Sequence, residues 1–406
     1  MSAPSFREAL PVWTKIGLLS FGGPAGQVAL MQDEVVTRRG WIPSESFDRG
    51  LAFSMMLPGP EAQQLATWLG WRLHGLAGGL AAGLAFILPG AALMILLAWV
   101  AAAHGDVPLI SSLFSGVQPV VIALVLSALV KIGTRALGGP AHWVIAVAAF
   151  VALYQFSVPF PFVIAAAAVT GIALRVKDPT PTFPPGKPVL GHALVVLLAA
   201  AMLVGSIWIT VDIVRGGEIA VLFTTAALVT FGGAYAVLPF VAEHAVGTYG
   251  WLSPAEMLNG LAIAEATPGP LILVNTYAGF FAGWEGEAPR FGIGATAALL
   301  ATFYTFVPSF ALILAFAPAV ERLHAIPLAA RALAGVSAAV VGVIANLVLF
   351  LAEAAFFPTG GGGAEWIKIA LFVAALPLVF VLKLGMLWLV GAGLGAGLLI
   401  HIFQQL

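Results

Sequence analysis

Hydrophobic positions run along this chain in long blocks, without the strict alternation of a sheet or the one-sided stripe of a surface helix. Apolar blocks of spanning length lie at roughly 76–103, 113–130, 141–155, 160–174, 189–212, 218–240, 291–318, 332–352, 366–381 and 384–404, judged against the ~20 residues that cross a bilayer core. Further stretches, 8–23 with 53–73 and the matching 260–284, are apolar but cut by Gly and Pro, so they either span or re-enter. The pattern predicts an all-α polytopic membrane protein with about 11 to 13 membrane segments. Between the halves, the proline-rich stretch 177–188 is polar and cannot be helical throughout.

The blocks are written twice. The stretch from Phe21 to Pro60 recurs from Phe231 to Pro270, an offset of 210, and each copy opens on Phe-Gly-Gly and closes on Pro-Gly-Pro. The same offset matches Glu8 with Glu218, Gly40-Trp41 with Gly250-Trp251, and Gly50-Leu51-Ala52 with Gly260-Leu261-Ala262. Farther on the register becomes 219, pairing Pro89 with Pro308 and Gly116-Val117 with Gly335-Val336, and the extra residues fall near 285–289. This divides the chain into a first repeat with its connector over 1–188, an extra linking helix over 189–217, and a second repeat over 218–406.

Loop charge orients the copies. Arg72, Lys131, Arg135, Arg175, Lys177 and Lys187 occupy alternate loops of the first repeat, whereas Arg322, Arg331 and Lys383 occupy the other set in the second. Basic loops stay cytoplasmic, so the repeats are expected to be inverted. Arg38, Arg39 and Arg49 fit only if the neighbouring segments re-enter.

Composition narrows the function. With 61% hydrophobic and 9% charged residues the chain lacks the polar surface of a soluble globule. A net charge of −1 offers no basic stripe for nucleic acid. The absence of cysteine removes disulfides, thiolate metal sites and thiol nucleophiles. His74 and His244 make no metal-ligand spacing, so no metal or cofactor is expected. The N-terminal residues lack a basic region followed by an apolar core, so no cleaved signal is expected either.

The repeated breaks carry the candidate chemistry. Proline removes an amide and clashes with the preceding turn, so Pro58-Gly59-Pro60 and Pro268-Gly269-Pro270 each end one helix and start another. A helix start inside the membrane offers free amides and partial positive charge to an anion. Phe21-Gly22-Gly23 and Phe231-Gly232-Gly233 sit where apolar runs end, the discontinuous-helix arrangement that leaves backbone facing a cavity. Proline kinks and glycine caps that serve packing alone are the plainer alternative.

A helix end contributes about 0.3 to 1 kcal/mol toward an anion, so two ends are weak for a dianion. Lys15, which has Thr225 at its counterpart position, is the candidate cation, although it could instead snorkel to the interface. Glu61 and Glu265 flank the Pro-Gly-Pro motifs and are candidates for proton coupling. Gln63, Gln64, Asn275 and Thr276 offer neutral hydrogen bonds to a ligand or between helices.

The runs 13–24, 31–36, 40–41 and 57–66, with the second-copy Phe231-Gly232-Gly233 and Ala266-Thr267-Pro268-Gly269-Pro270, resemble the chromate ion transporter family in its two-domain form. The resemblance implies antiparallel halves and chromate efflux across a bacterial plasma membrane, with sulfate as the chemically similar oxyanion. Chromate or sulfate and the lipid bilayer are then the expected partners, and a homodimer is a candidate assembly. An inward sulfate permease and a membrane-embedded enzyme are the competing readings. The enzyme would need a nucleophile with a base in reach, and no such set is visible in the sequence.

Overall fold

The computed structural model describes residues 4–174, 199–206, 215–231, 233–284, 290–317, 327–358 and 364–405, and these form helices and turns without strands. The connector 177–188, the insertion near 285–289, the glycine run 360–363 and most of the linking segment 189–217 lie outside them, although 199–206 is helical.

The first half opens with α1 (Phe6–Leu19), started by a capping box in which Ser5 and Glu8 satisfy each other's amides. After Gly22 comes α2 (Gly23–Gln32), which runs into a π-helical turn over Asp33–Thr37. Next are α3 (Ser44–Met56), α4 (Glu61–His104), α5 (Pro108–Ala136), α6 (Pro140–Tyr154) and α7 (Phe160–Ala173). In the second half, α8 (Gly216–Val229) leads to a short 3-10 turn over Ala234–Ala236, α9 (Leu238–Ala242) and a second π-helical turn over Glu243–Thr248. There follow α10 (Pro254–Ala266), α11 (Val274–Trp284), α12 (Phe291–Phe316), α13 (Pro327–Phe356), α14 (Trp366–Phe380) and α15 (Met386–Gln405).

As one straight rod, the 44 residues of α4 would reach about 66 Å, twice the bilayer core. It is not one rod. His74 and Gly75 leave helical geometry, Gly75 at φ 62°, and the chain folds back on itself. Glycine permits the close approach: a Cβ on Gly70 would strike the carbonyl of Gly78, and one on Gly83 the hydroxyl of Thr67. The second half builds the same hairpin from two helices, with Gly279 against Ala301 and Gly283 against Ala297.

Local detail also recurs at the 210 offset. Trp41 N–H donates to the carbonyl of Val35 at 2.9 Å and Trp251 N–H to that of Ala245 at 2.7 Å. Gly40 and Gly250, just before them, sit at φ 60° and 62°, where a side chain is strained.

The helices then exchange partners between halves. A Cβ on Gly116 of α5 would collide with the backbone of Gly393 and Gly397 in α15. One on Gly335 of α13, 219 residues on, would collide with the carbonyl of Ala167 and the backbone of Gly171 in α7. Thus the last helix of each half packs on the long central helix of the other, through small residues that let backbones touch.

Among the described residues, five helices are long and apolar enough to cross a membrane: Glu61–His104, Pro108–Ala136, Phe291–Phe316, Ala330–Phe356 and Met386–Phe403. Shorter apolar helices accompany them, among them α6, α7, α8 and α14. Outward-facing Leu88, Trp143, Val144, Phe162, Val221, Leu299 and Trp388 are all more than half exposed, the surface of a multi-pass membrane protein whose solvent is lipid.

Candidate functional site

The two kinds of break meet each other across the halves. In the first half α1 stops at Ser20, and Gly22 and Gly23 turn the chain at φ 91° and 70° into α2. There α3 stops at Leu57, Gly59 turns at φ 122°, and Pro60 caps α4. In the second half α8 stops at Thr230, with Gly233 at φ 103°, and α10 stops at Thr267, with Gly269 at φ 96° before Pro270.

Gly59 N–H donates to the carbonyl of Thr230 at 2.8 Å, while Gly269 N–H donates to the carbonyl of Ser20 at 3.1 Å. Ser20 and Thr230 are themselves one repeat apart, and so are Gly59 and Gly269. Each Pro-Gly-Pro therefore closes on the residue that precedes the other half's Phe-Gly-Gly. Around each contact the long helix of the opposite half supplies the floor. A Cβ on Gly90 in α4 would run into the carbonyl of Pro268, and one on Gly59 would lie 3.0 Å from the Ser309 hydroxyl in α12.

The two crossings are not equally braced. Gly269 N–H also reaches the Ser20 hydroxyl at 3.1 Å. The buried Gln27 amide donates both to the carbonyl of Gly269, at 2.6 Å, and to that of Ser20, at 3.2 Å. At the other crossing Val237 replaces Gln27, and the Thr230 hydroxyl turns back to the Ala226 carbonyl in its own helix. Gln64 stiffens that side by donating to the carbonyl of Pro58 at 2.7 Å.

Other expected site residues fall around these crossings. Gln63 donates to the Thr67 hydroxyl at 2.9 Å and accepts from Ser309 at 2.6 Å, and Asn275 donates to Thr305 at 3.1 Å. Glu265 is buried and accepts from the Tyr235 hydroxyl. Glu61, half-buried at the start of α4, brings Oε1 to 4.0 Å from where a Cβ on Gly233 would stand. Phe21 and Phe231 are half-buried. Gly232 lies outside the described residues.

Lys15 does not stand as an unpaired cation. Its Nζ donates to Glu34 Oε1 at 2.7 Å, and Arg38 and Arg39 close on the same carboxylate. Arg39 also lies 5.4 Å over the Trp41 ring. This cluster ties α1 to the first π-helical turn. Its counterpart in the second half is aromatic: His244 packs 4.3 Å from Phe240, and Tyr249 stacks 4.7 Å from Trp251.

Ser20, Gln27, Thr230, Tyr235 and Ser309 were absent from the sequence-derived set. A signal existed for two of them, since a hydroxyl residue immediately precedes Phe-Gly-Gly in both copies. Gln27, Tyr235 and Ser309 have no twin of their own type at the repeat offset, so the repeat could not point to them.

The chromate transporter family model matches residues 8–172 and again 217–398. The chain is 35% identical over 371 residues to the chromate transport protein of Pseudomonas aeruginosa, covering 86% of this chain and 82% of that one. It is 28% identical over 362 residues to a probable chromate transport protein of Synechococcus elongatus, covering 86% and 85%. A shorter relative, the uncharacterized transporter YwrA of Bacillus subtilis, is 32% identical over 157 residues, 38% of this chain but 88% of its own length. No solved structure matches. Two family matches, covering between them most of the sequence, place this chain in the chromate transporter family.

Proposed function

We propose that this chain is a secondary active exporter of chromate across the bacterial plasma membrane, conferring chromate resistance, with its substrate site at the two crossings. The observation that carries this reading is the reciprocal pair of hydrogen bonds, Gly59 to Thr230 and Gly269 to Ser20. Two copies that complete each other in this way are the arrangement expected of inverted repeats, whose broken helices meet at a shared midplane site. Parting one crossing while the other holds would expose the site to one side at a time.

In this reading the helix starts at Gly22-Gly23, Pro60, Gly233 and Pro270 present amides to the oxyanion. Gln63, Gln64 and Asn275 supply neutral contacts, and Glu61 and Glu265 take up the coupling protons. Lys15, committed to Glu34, serves to hold α1 against the π-helical turn.

The test is chromate accumulation in inside-out vesicles driven by an imposed proton gradient. Gly59→Val and Gly269→Val should abolish accumulation, with Gly391→Ala as a control that meets nothing within 4 Å. Full accumulation by both valine variants would remove the site from the crossings. Accumulation only in right-side-out vesicles would reverse the direction, and preferred uptake of sulfate would replace the substrate.

A further inference from the structure

We propose that the species carried is an oxyanion that still bears a proton, and that Gln27 and Gln64 select it; this rests on the crossings being the substrate site. Both glutamines come from the first half, one beside each crossing glycine. Gln27 Nε2 is bonded to the carbonyls of Gly269 and Ser20, and Gln64 Nε2 to the carbonyl of Pro58. A carbonyl cannot donate, so each amide nitrogen must face it, and the orientation of both side chains is fixed.

That leaves Gln27 Oε1 and Gln64 Oε1 pointing away from those carbonyls. Both atoms are buried and neither has a hydrogen-bond partner. A buried acceptor without a donor is costly, and native proteins keep few of them. Asn275 Oδ1 and Glu265 Oε2 are also without partners, but they are less decisive. The Thr305 hydroxyl could pair with either end of the Asn275 amide, and a carboxyl can carry its own proton.

The two glutamine oxygens can be satisfied only by a donor. A bare tetrahedral dianion offers lone pairs alone and would be repelled by them. A hydrogen-oxyanion offers its hydroxyl, and a site built to pair that hydroxyl rejects the analogue without it. Chromate takes up a proton near neutral pH, whereas sulfate and selenate do so only in strong acid. Phosphate and arsenate carry a hydroxyl at neutral pH. The discrimination of chromate from sulfate, which have nearly the same shape, would then follow from the proton. Val237 and Val274 occupy the corresponding places in the second half, so the selecting acceptors belong to the first half alone. Both oxygens are sealed from solvent in this conformation, and they meet substrate when a crossing parts.

The experiment is competition against labelled chromate flux in proteoliposomes containing the full chain, at neutral pH. Arsenate and phosphate should inhibit about tenfold more strongly than sulfate and selenate, the scale of one unpaired buried acceptor. Gln64→Leu should bring the ratio of inhibition constants close to one. Equal inhibition by all four anions in the unaltered protein overturns the proposal, whatever the variant does. If Gly59→Val and Gly269→Val leave chromate flux intact, the crossings are not the site and the functional reading itself falls. Equal competition in a protein whose flux those changes abolish overturns only the selection of the protonated anion.

Discussion

The backbone amide of Gly59 is answered by the carbonyl of Thr230, at 2.8 Å, and by no described group in its own half. A φ of 122° at Gly59 is one that side chains rarely adopt, and an added Cβ would lie 2.8 Å from Gln64 Nε2 and 3.0 Å from Ser309 Oγ. Gly59→Ala should therefore cost about 1 to 3 kcal/mol of stability and lower chromate flux at least about tenfold. Gly22→Ala, at φ 91° but with nothing within 4 Å, should cost only about 1 kcal/mol. Thermal unfolding in detergent, read beside vesicle flux, checks both.

Ser20 and Thr230 occupy the same place in the two halves but use their hydroxyls differently. Ser20 Oγ accepts from Gly269 N–H across the halves, whereas Thr230 Oγ1 bonds only within its own helix. Ser20→Ala should lower stability by about 1 kcal/mol and Thr230→Val by much less. A double-mutant cycle of Ser20→Ala with Gln27→Leu should show coupling, because both brace Gly269; additive losses would contradict the shared brace.

The ion cluster makes unequal predictions for its members. Glu34 is 1% exposed, while the Lys15 and Arg38 side chains are 43% and 59% exposed and can return to water. Lys15→Ala leaves Glu34 held by Arg39, so the expected loss is under about 1 kcal/mol, with chromate flux retained. Glu34→Ala leaves three cations without their common partner and should cost more, about 1 to 3 kcal/mol. Abolition of flux by Lys15→Ala in a protein of unchanged melting temperature would return Lys15 to the substrate site.

Packing between the halves is tested at glycines. Gly116→Ala and Gly171→Ala each drive a Cβ into the backbone of a helix from the other half. Each should cost about 1 to 3 kcal/mol or separate the helices. Gly391→Ala and Gly395→Ala meet nothing within 4 Å and should be neutral in the same melting assay.

Much of this was legible in the sequence because it rests on backbone geometry. Glycines 22, 59, 233 and 269 all take the positive φ that their motifs imply, and the 210 offset recurs in the hydrogen bonds of Trp41 and Trp251. The gap between the apolar blocks 53–73 and 76–103, with Arg72 in the intervening loop, coincides with the turn at His74-Gly75 that folds α4 into a hairpin. The ion pair of Lys15, by contrast, was hidden. Its partner Glu34 lies in a π-helical turn, where the residue spacing that places side chains on a common face of an α-helix does not apply. Gln27 was invisible because its partner, Gly269, is 242 residues away.

The reciprocal closure has a consequence for synthesis. When the first half has left the ribosome, the amide of Gly59 and the carbonyl of Ser20 have no counterparts, because Thr230 and Gly269 have not yet been made. The Gly59 crossing therefore cannot close before Thr230 has been made, nor the Ser20 crossing before Gly269 has. Both crossings are thus late products of synthesis, and ribosome stalling between the two copies would leave a first half with neither.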